Sequence, residues 1–264
     1  MKLSKAERQK QIIAELQAQP TIRASELAVK FSVSTETIRR DLDEMEPQGL
    51  ISRTYGGAAR PLGPEPEIRE RDRLFSRQRE LIAKRMAGYI KHGDVLILGS
   101  GSTTNHLARR LAAEKHDLTL FTDSLTIASL VSPNPTISVN LLPGRYNDKE
   151  CCVYGPETVL YLQKIYANHT IVGASGLAGE GLSNADLEIA CTYQAMVTRA
   201  REVSVVADHS KFAHVAISVY SGWHGITRLV TDQHPADEEL LSAIKLAGTE
   251  VVVARDEWGT SLQS

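Results

Sequence analysis

The sequence predicts an α/β protein made of an N-terminal winged helix-turn-helix and a mainly parallel α/β domain. Residues 7–46 carry three helical periodicities separated by short polar breaks. After residue 74, six apolar runs alternate with helical stretches, the pattern of a parallel sheet covered on both faces. Between the two lies AARPLGPEPEIRERDR (58–73), where three prolines, a glycine and mixed charge make a linker rather than a core element. The expected domains are 3–58 and 74–257, joined by a linker at 59–73.

The first domain reads element by element. ERQKQIIAELQA (7–18) puts Ile12, Ile13 and Leu16 on one helical face, and Pro20 ends that helix. ASELAVKF (24–31) makes a second short helix with Leu27, Ala28 and Phe31 inward; small and apolar residues there allow a close crossing with the next helix. Val33, in the turn Ser32-Val33-Ser34, is the expected buried pin. The third helix, about 35–46, packs Ile38, Leu42 and Met45, with Ser34 as its N-cap. Pro47 cannot continue it and Gly49 favours its end. Leu50 and Ile51 begin a short strand, and Tyr55-Gly56-Gly57 turns a hairpin that would be the wing.

In the second domain VLIL (95–98), LTLF (118–121), ISVNLL (137–142), TIVGAS (170–175), VSVVA (203–207) and EVVVA (250–254) read as buried strands. Helices are expected at about 74–91, 103–113, 124–131, 156–166, 186–200 and 236–246.

Composition narrows the function. A net charge of −2 over 264 residues announces no global affinity for nucleic acid, so any such case rests on local pattern. No apolar run is long enough for a bilayer, and the charged start MKLSKAERQK is not a signal peptide. Three cysteines (Cys151, Cys152, Cys191) form neither a disulfide framework nor a zinc spacing. A reducing cytoplasmic setting fits, without metal, cofactor or membrane partner. The adjacent Cys151 and Cys152 read as two small semi-buried residues, with a redox pair as the alternative.

Two stretches carry chemistry. In TETIRRDLDEMEPQGLISRTYGG (35–57) the third helix opens on short polar residues, Ser34, Thr35 and Thr37, able to approach base edges and phosphates. Arg39 and Arg40 follow one turn later, and Arg53 near the wing can clamp an adjacent phosphate. The alternative is a helical bundle whose arginines only pair with Asp41, Asp43 and Glu44; the ordered array of turn, pin and wing favours DNA. In LILGSGSTTNHLARRL (96–111) a strand, a Gly/Ser/Thr loop and a helix offer backbone N–H groups and a helix N-terminus to an anion. Ser100, Ser102, Thr103 and Thr104 add hydroxyls. The spacing is neither a P-loop nor a dinucleotide fingerprint, and a plain capped turn is the alternative. Thr122-Asp123, Pro143-Gly144-Arg145, Ala174-Ser175-Gly176 and Ala207 to Lys211 fall at other strand ends, where ligands of open α/β sheets gather. Asp186 and Glu188 open a helix, as N-terminal charge or as acceptors for sugar hydroxyls.

The strings ERQKQIIAEL and SELAVKFSVSTETIRRDLDEMEPQGLISRTYGGA resemble the DeoR family of bacterial transcription regulators. Ser32 stands where that family often has glycine, and Tyr55 where it usually has histidine. The resemblance continues through the second half, including Ala207 to Phe212. It implies a sensor domain related to ribose-5-phosphate isomerase and CoA-transferase folds that binds a phosphorylated sugar or related metabolite. The resemblance implies Gly99, Ser100, Gly101, Ser102, Thr103, Thr104, Asp123, Gly144, Asp208 and Lys211 as effector residues, and the strand-end and helix-start reading adds Arg145, Gly176, Asp186 and Glu188. Two departures lie near the expected sugar end: Asp123 in place of an amide, and Tyr193 where many members have lysine. The expected function is an effector-controlled, operator-binding regulator, a repressor of a carbohydrate operon rather than an enzyme. A homo-oligomer is expected because one winged helix buries too little surface for operator specificity. Two alternatives are a sugar-phosphate isomerase using Asp186, Glu188 or Asp208 as its base, and an architectural DNA-binding protein.

Overall fold

A computed structural model describes residues 3–18, 21–46, 51–54, 56–59 and 67–255. The chain divides into two compact units, Met1–Pro64 and Glu65–Ser264.

In the first unit, helices α1 (Lys5–Ala18), α2 (Ala24–Lys30) and α3 (Thr35–Met45) enclose a core of Ile12, Leu16, Leu27, Ile38, Leu42 and Met45. Strands β1 (Thr21–Arg23), β2 (Ser52–Thr54) and β3 (Gly57–Ala59) form an antiparallel sheet in the order β1-β3-β2. The sequence predicts only the hairpin; β1 is too short to show a period. It pairs closely because Gly57 has no side chain: a Cβ there would collide with the Ile22 carbonyl oxygen. Ile13 and Val33 are only partly buried, so Val33 is a cover over the turn rather than a buried pin. Ser32 holds φ +52, left-handed backbone that favours glycine and strains serine. Pro20, Pro47, Gly49, Leu50 and Tyr55 lie outside the described residues. Ile51 is buried just ahead of β2.

The second unit runs α4 (Ile68–Arg71), α5 (Ser76–Ala87), β4 (Val95–Leu98), α6 (Ser102–Glu114), β5 (Leu118–Thr122), α7 (Leu125–Val131), β6 (Ile137–Leu141), β7 (Arg145–Asn147), β8 (Cys152–Tyr154) and α8 (Pro156–Leu162). It continues with β9 (Ala167–Val172), β10 (Gly176–Ala178), β11 (Gly181–Asn184), α9 (Leu187–Val197), β12 (Ala200–Val206), a 3-10 turn (His209–Lys211), β13 (Ser218–Ser221), β14 (Arg228–Thr231), α10 (Glu238–Ala247) and β15 (Glu250–Val253). Seven strands form a parallel sheet in the order β15-β14-β12-β9-β4-β5-β6. All six predicted strands are in it. The unbroken apolar run of β4 has a direct reason. Ile97 faces a core shared with Tyr193 and Met196, while Leu96 and Leu98 face a second core with Ile82, Met86 and Leu107. Both faces are buried, so no polar alternation survives.

Some elements differ from expectation. β14 was not predicted, since RLVT is short and opens on arginine. The small antiparallel sheet β10-β11-β13 and the hairpin β7-β8 were not predicted either. The single helix expected over 74–91 starts at Ser76, after Phe75 at φ +52. Residues 67–73 are not free linker. Ile68 is buried and donates its N–H to the Lys149 carbonyl at 3.1 Å, so this stretch packs within the second unit. Among the described residues no helix is long and apolar enough to cross a membrane.

Candidate functional site

In α3, Ser34 Oγ accepts the Thr37 backbone N–H at 3.1 Å and lies 2.8 Å from Thr37 Oγ1. This cap satisfies one orphan first-turn donor. It also turns two expected contact hydroxyls onto each other. Thr35, half-buried at the first helical position, has no bonded side-chain partner among the described residues.

Arg39 and Arg40 are exposed, and the acids near them are engaged elsewhere. Asp41 makes a buried two-point pair with Arg8 at 2.5 and 3.1 Å. Asp43 pairs with Arg53 at 3.2 Å, and Glu44 pairs with Lys5. Among the described residues only Glu36 reaches Arg40, at 3.5 Å, an exposed pair one turn apart worth roughly 0.3 kcal/mol. The side chain of Arg39 has no partner among the described residues. Two cations therefore stand on a helix whose neighbouring acids are already neutralised, an arrangement suited to phosphates. The bundle alternative required these acids for Arg39 and Arg40, and the structure does not give them. Arg53 also donates from Nη1 to the Gly57 carbonyl at 3.0 Å, so with its Asp43 pair it braces the wing against α3.

The sheet reverses its order between β4 and β9. From β4 the chain adds β5 and β6 on one side, then returns to add β9, β12, β14 and β15 on the other. Such a switch point opens a crevice at the strand C-termini. The loop Gly99 to Gly101 leaves β4 at that point, and α6 begins at Ser102. Gly101 caps α6 at φ +145 and offers no side chain, so the first-turn amides of α6 are left for another acceptor. Ser102 and Thr103 are buried and their hydroxyls have no bonded partner among the described residues. Thr104 Oγ1 donates to the Gly101 carbonyl, 2.9 Å away. Gly99 lacks a side chain where Tyr193 and Val172 pack against it, each 3.2 Å from the position a Cβ would take.

Ser100 points the other way. Its N–H donates to Asp123 Oδ1 at 2.7 Å and its hydroxyl to Oδ2 at 3.0 Å. Tyr193 donates its hydroxyl to the Ser100 carbonyl. Asp123 is wholly buried, and burial pushes its carboxyl up to about 7 against the pull of the Ser100 donors. Burial likewise raises the Cys152 thiol and the Tyr193 phenol. Ser100 and Asp123, both expected effector residues, bond each other, and the pair fixes the loop from behind.

The other strand ends line up beside this loop. β12, β9 and β4 are neighbours, so Asp208 to Lys211, Gly176 and Gly99 to Thr104 follow adjacent strands. Asp208 is also wholly buried. Burial would raise its carboxyl, but Arg79 at 3.0 Å, Lys211 and Ser210 together hold it below the usual range. That ion pair fixes Asp208 at the start of the turn that carries Lys211. Asp186 caps α9, accepting the N–H groups of Glu188 and Ile189 at 2.9 and 3.1 Å, and Asn147 reaches it at 3.4 Å. Glu188 is exposed. Gly144 has no room for a Cβ, which would collide with Thr158 Oγ1, and exposed Arg145 lies over the Tyr154 ring at 5.5 Å. A Cβ on buried Gly176 would strike the His214 carbonyl.

No sequence pattern points to Arg71 and Arg79, which pair with Glu150 and Asp208. The one hint was Ile68, a lone apolar residue in a charged stretch. Among the described residues no group of three or more His, Cys, Asp or Glu could hold a metal.

Residues 8–61 match the DeoR-like helix-turn-helix domain and residues 75–233 the DeoR C terminal sensor domain. The uncharacterized HTH-type transcriptional regulator YulB of Bacillus subtilis (strain 168) is 31% identical, over 95% of this chain and 98% of that protein. The glycerol-3-phosphate regulon repressor of Escherichia coli (strain K12) is 28% identical over 88% of this chain and 93% of its own. Among solved structures, ribose 5 phosphate isomerase A from Neisseria gonorrhoeae overlaps 51% of this chain and 52% of its own, at 13% identity and a TM-score of 0.39.

Proposed function

The chain belongs to the DeoR family of helix-turn-helix transcription regulators, and on that footing we propose that it represses a carbohydrate operon until a phosphorylated sugar or related metabolite releases it. The repressor named for the glycerol-3-phosphate regulon, 28% identical to this chain, supports that choice of effector class. The observation that carries the reading is the unsatisfied N-terminus of α6 at the switch point of the sheet, with Ser102 and Thr103 beside it. An anionic group gains both the helix dipole and the free amides there. Lys211 supplies a buried cation from the end of β12, two strands along the sheet from β4. In the DNA-binding unit Arg39 and Arg40 hold operator phosphates while Thr35 approaches the bases. The protein works in the cytoplasm, where its operator is.

An isomerase needs a carboxylate free to move a proton. Of the three candidate bases, Asp208 is locked to Arg79, Asp186 is spent on capping α9, and Glu188 stands exposed to solvent. Two engaged carboxylates of the three favour a binding site over a catalytic one. A thermal-shift screen of phosphorylated sugars, sugar acids and inorganic phosphate tests the reading, because a ligand that binds only the folded state raises Tm. At least one phosphorylated compound should raise Tm and lower operator affinity in a gel shift. A flat screen, or turnover of a sugar phosphate, would sink it.

A further inference from the structure

We infer that residues 67–79 are a strap that ties together the loops of the effector site and passes their ordering to the covalent connection leading to the DNA-binding unit. The inference rests on the effector site proposed above. The strap has three separate attachments to that site. On the loop between β7 and β8, the Ile68 N–H donates to the Lys149 carbonyl at 3.1 Å, and Arg71 grips the Glu150 carboxylate at 2.9 and 2.5 Å. On α6, the Asp72 carboxylate accepts from Asn105 Nδ2 at 3.3 Å and from Arg109 Nη2 at 2.8 Å. At the turn that carries Lys211, Arg79 Nε donates to Asp208 at 3.0 Å, and the Phe75 ring stands edge-on to His209 with centroids 5.3 Å apart. Arg79 also donates to the Arg71 carbonyl, which joins the first attachment to the third.

These bonds are more than a tether needs. Arg71 and Arg79 are 8% and 2% exposed, and a buried guanidinium is tolerated only while its partners hold it. Phe75, at φ +52, is a bulky residue in left-handed backbone, strain that persists only where surrounding contacts fix it. The strap therefore has one well-defined conformation, set by a loop, a helix and a turn that follow different strands. A ligand that orders the α6 N-terminus and the Lys211 turn stiffens the strap at Asp72 and at Arg79, and the Arg79 bond to the Arg71 carbonyl carries this to residue 71. Residue 67 follows directly on residues 60–66, so a change in the strap acts on the chain leading to the first unit. Arg71 is on this account a positioning residue for coupling and touches no ligand itself.

Hydrogen exchange on the full-length chain, with inorganic phosphate as the probe, tests this. In the wild type, phosphate should slow exchange severalfold over 99–105 and also over 67–75. Arg71→Glu should keep the protection at 99–105 and lose it at 67–75, and Arg71→Glu with Glu150→Arg should restore it. If Arg71→Glu does not fold, Glu150→Gln weakens the same grip without burying a new charge and should behave likewise. Protection confined to 99–105 in the wild type would overturn the strap and leave the effector site standing. Loosening of 67–75 by the variant to the same degree with and without phosphate would reduce Arg71 to a structural part, and would overturn it too. Absence of protection at 99–105 would overturn the effector site itself and the strap with it.

Discussion

Asp123 has no exposed surface, and both of its carboxylate oxygens are taken by a single residue, Ser100. Its carboxyl is raised from 3.8 to about 7 in the fold, so the folded state holds its proton more tightly than the unfolded chain does. The stability this contributes is complete below 3.8 and is lost as pH rises through about 7, at about 1.4 kcal/mol for each unit of difference. Asp123→Asn cannot ionise and still offers an oxygen to Ser100. Thermal unfolding should show the wild type losing more stability than this variant between pH 5 and pH 8; parallel curves would mean the carboxyl titrates normally. In the other unit, Arg39→Ala or Arg40→Ala should each weaken operator binding by about 1–3 kcal/mol and leave the fold intact. Their side chains support no buried contact among the described residues. Wild-type gel shifts for both variants would remove α3 from the interface.

At the scale of the element, α6 is the helix whose N-terminus is left without a capping side chain at the switch point. Ser102→Asp puts a fixed negative charge in its first turn. A helix tolerates an acid there well, so the protein should fold. The charge should repel an anionic effector, and the variant should bind operator normally yet ignore the inducer found by the thermal-shift screen. An unchanged response would place the anion site elsewhere. The wing is a second element with a single point of dependence. Gly57 lets β3 lie against β1, and Arg53 ties the hairpin to Asp43. Gly57→Ala should force these strands apart at a cost of roughly 1–3 kcal/mol. Chemical denaturation of the isolated variant chain, alongside its operator affinity, would show whether the sheet tolerates the change.

For the whole molecule, one winged helix offers few base contacts, and paired half-sites are the usual remedy. The second unit exposes large apolar side chains, including Leu160, Tyr166 and Ile217, consistent with a subunit interface carried there. Light scattering at micromolar concentration should show a dimer or larger; a monomer both on and off DNA would count against it. Effector and operator should change each other's affinity by the same factor, a coupling of roughly 1–3 kcal/mol.

What the sequence determined by itself was whatever depends on local period and punctuation. Ile38, Leu42 and Met45 mark the buried face of α3, Ser34 marks its cap, and apolar runs mark six strands of the parallel sheet. The loop at Gly99 to Gly101 was legible because glycines and hydroxyls between a strand and a helix have few other uses. The tertiary structure alone decided which polar residues bond one another across the fold. Ser100 and Asp123 turn inward, Asp208 pairs with Arg79 across 129 positions of sequence, and Arg71 finds Glu150. β1 and β14 were invisible for the same reason. A three- or four-residue strand has no period of its own, and a buried charge is recognisable only by the partner that the fold brings to it from a distant part of the chain.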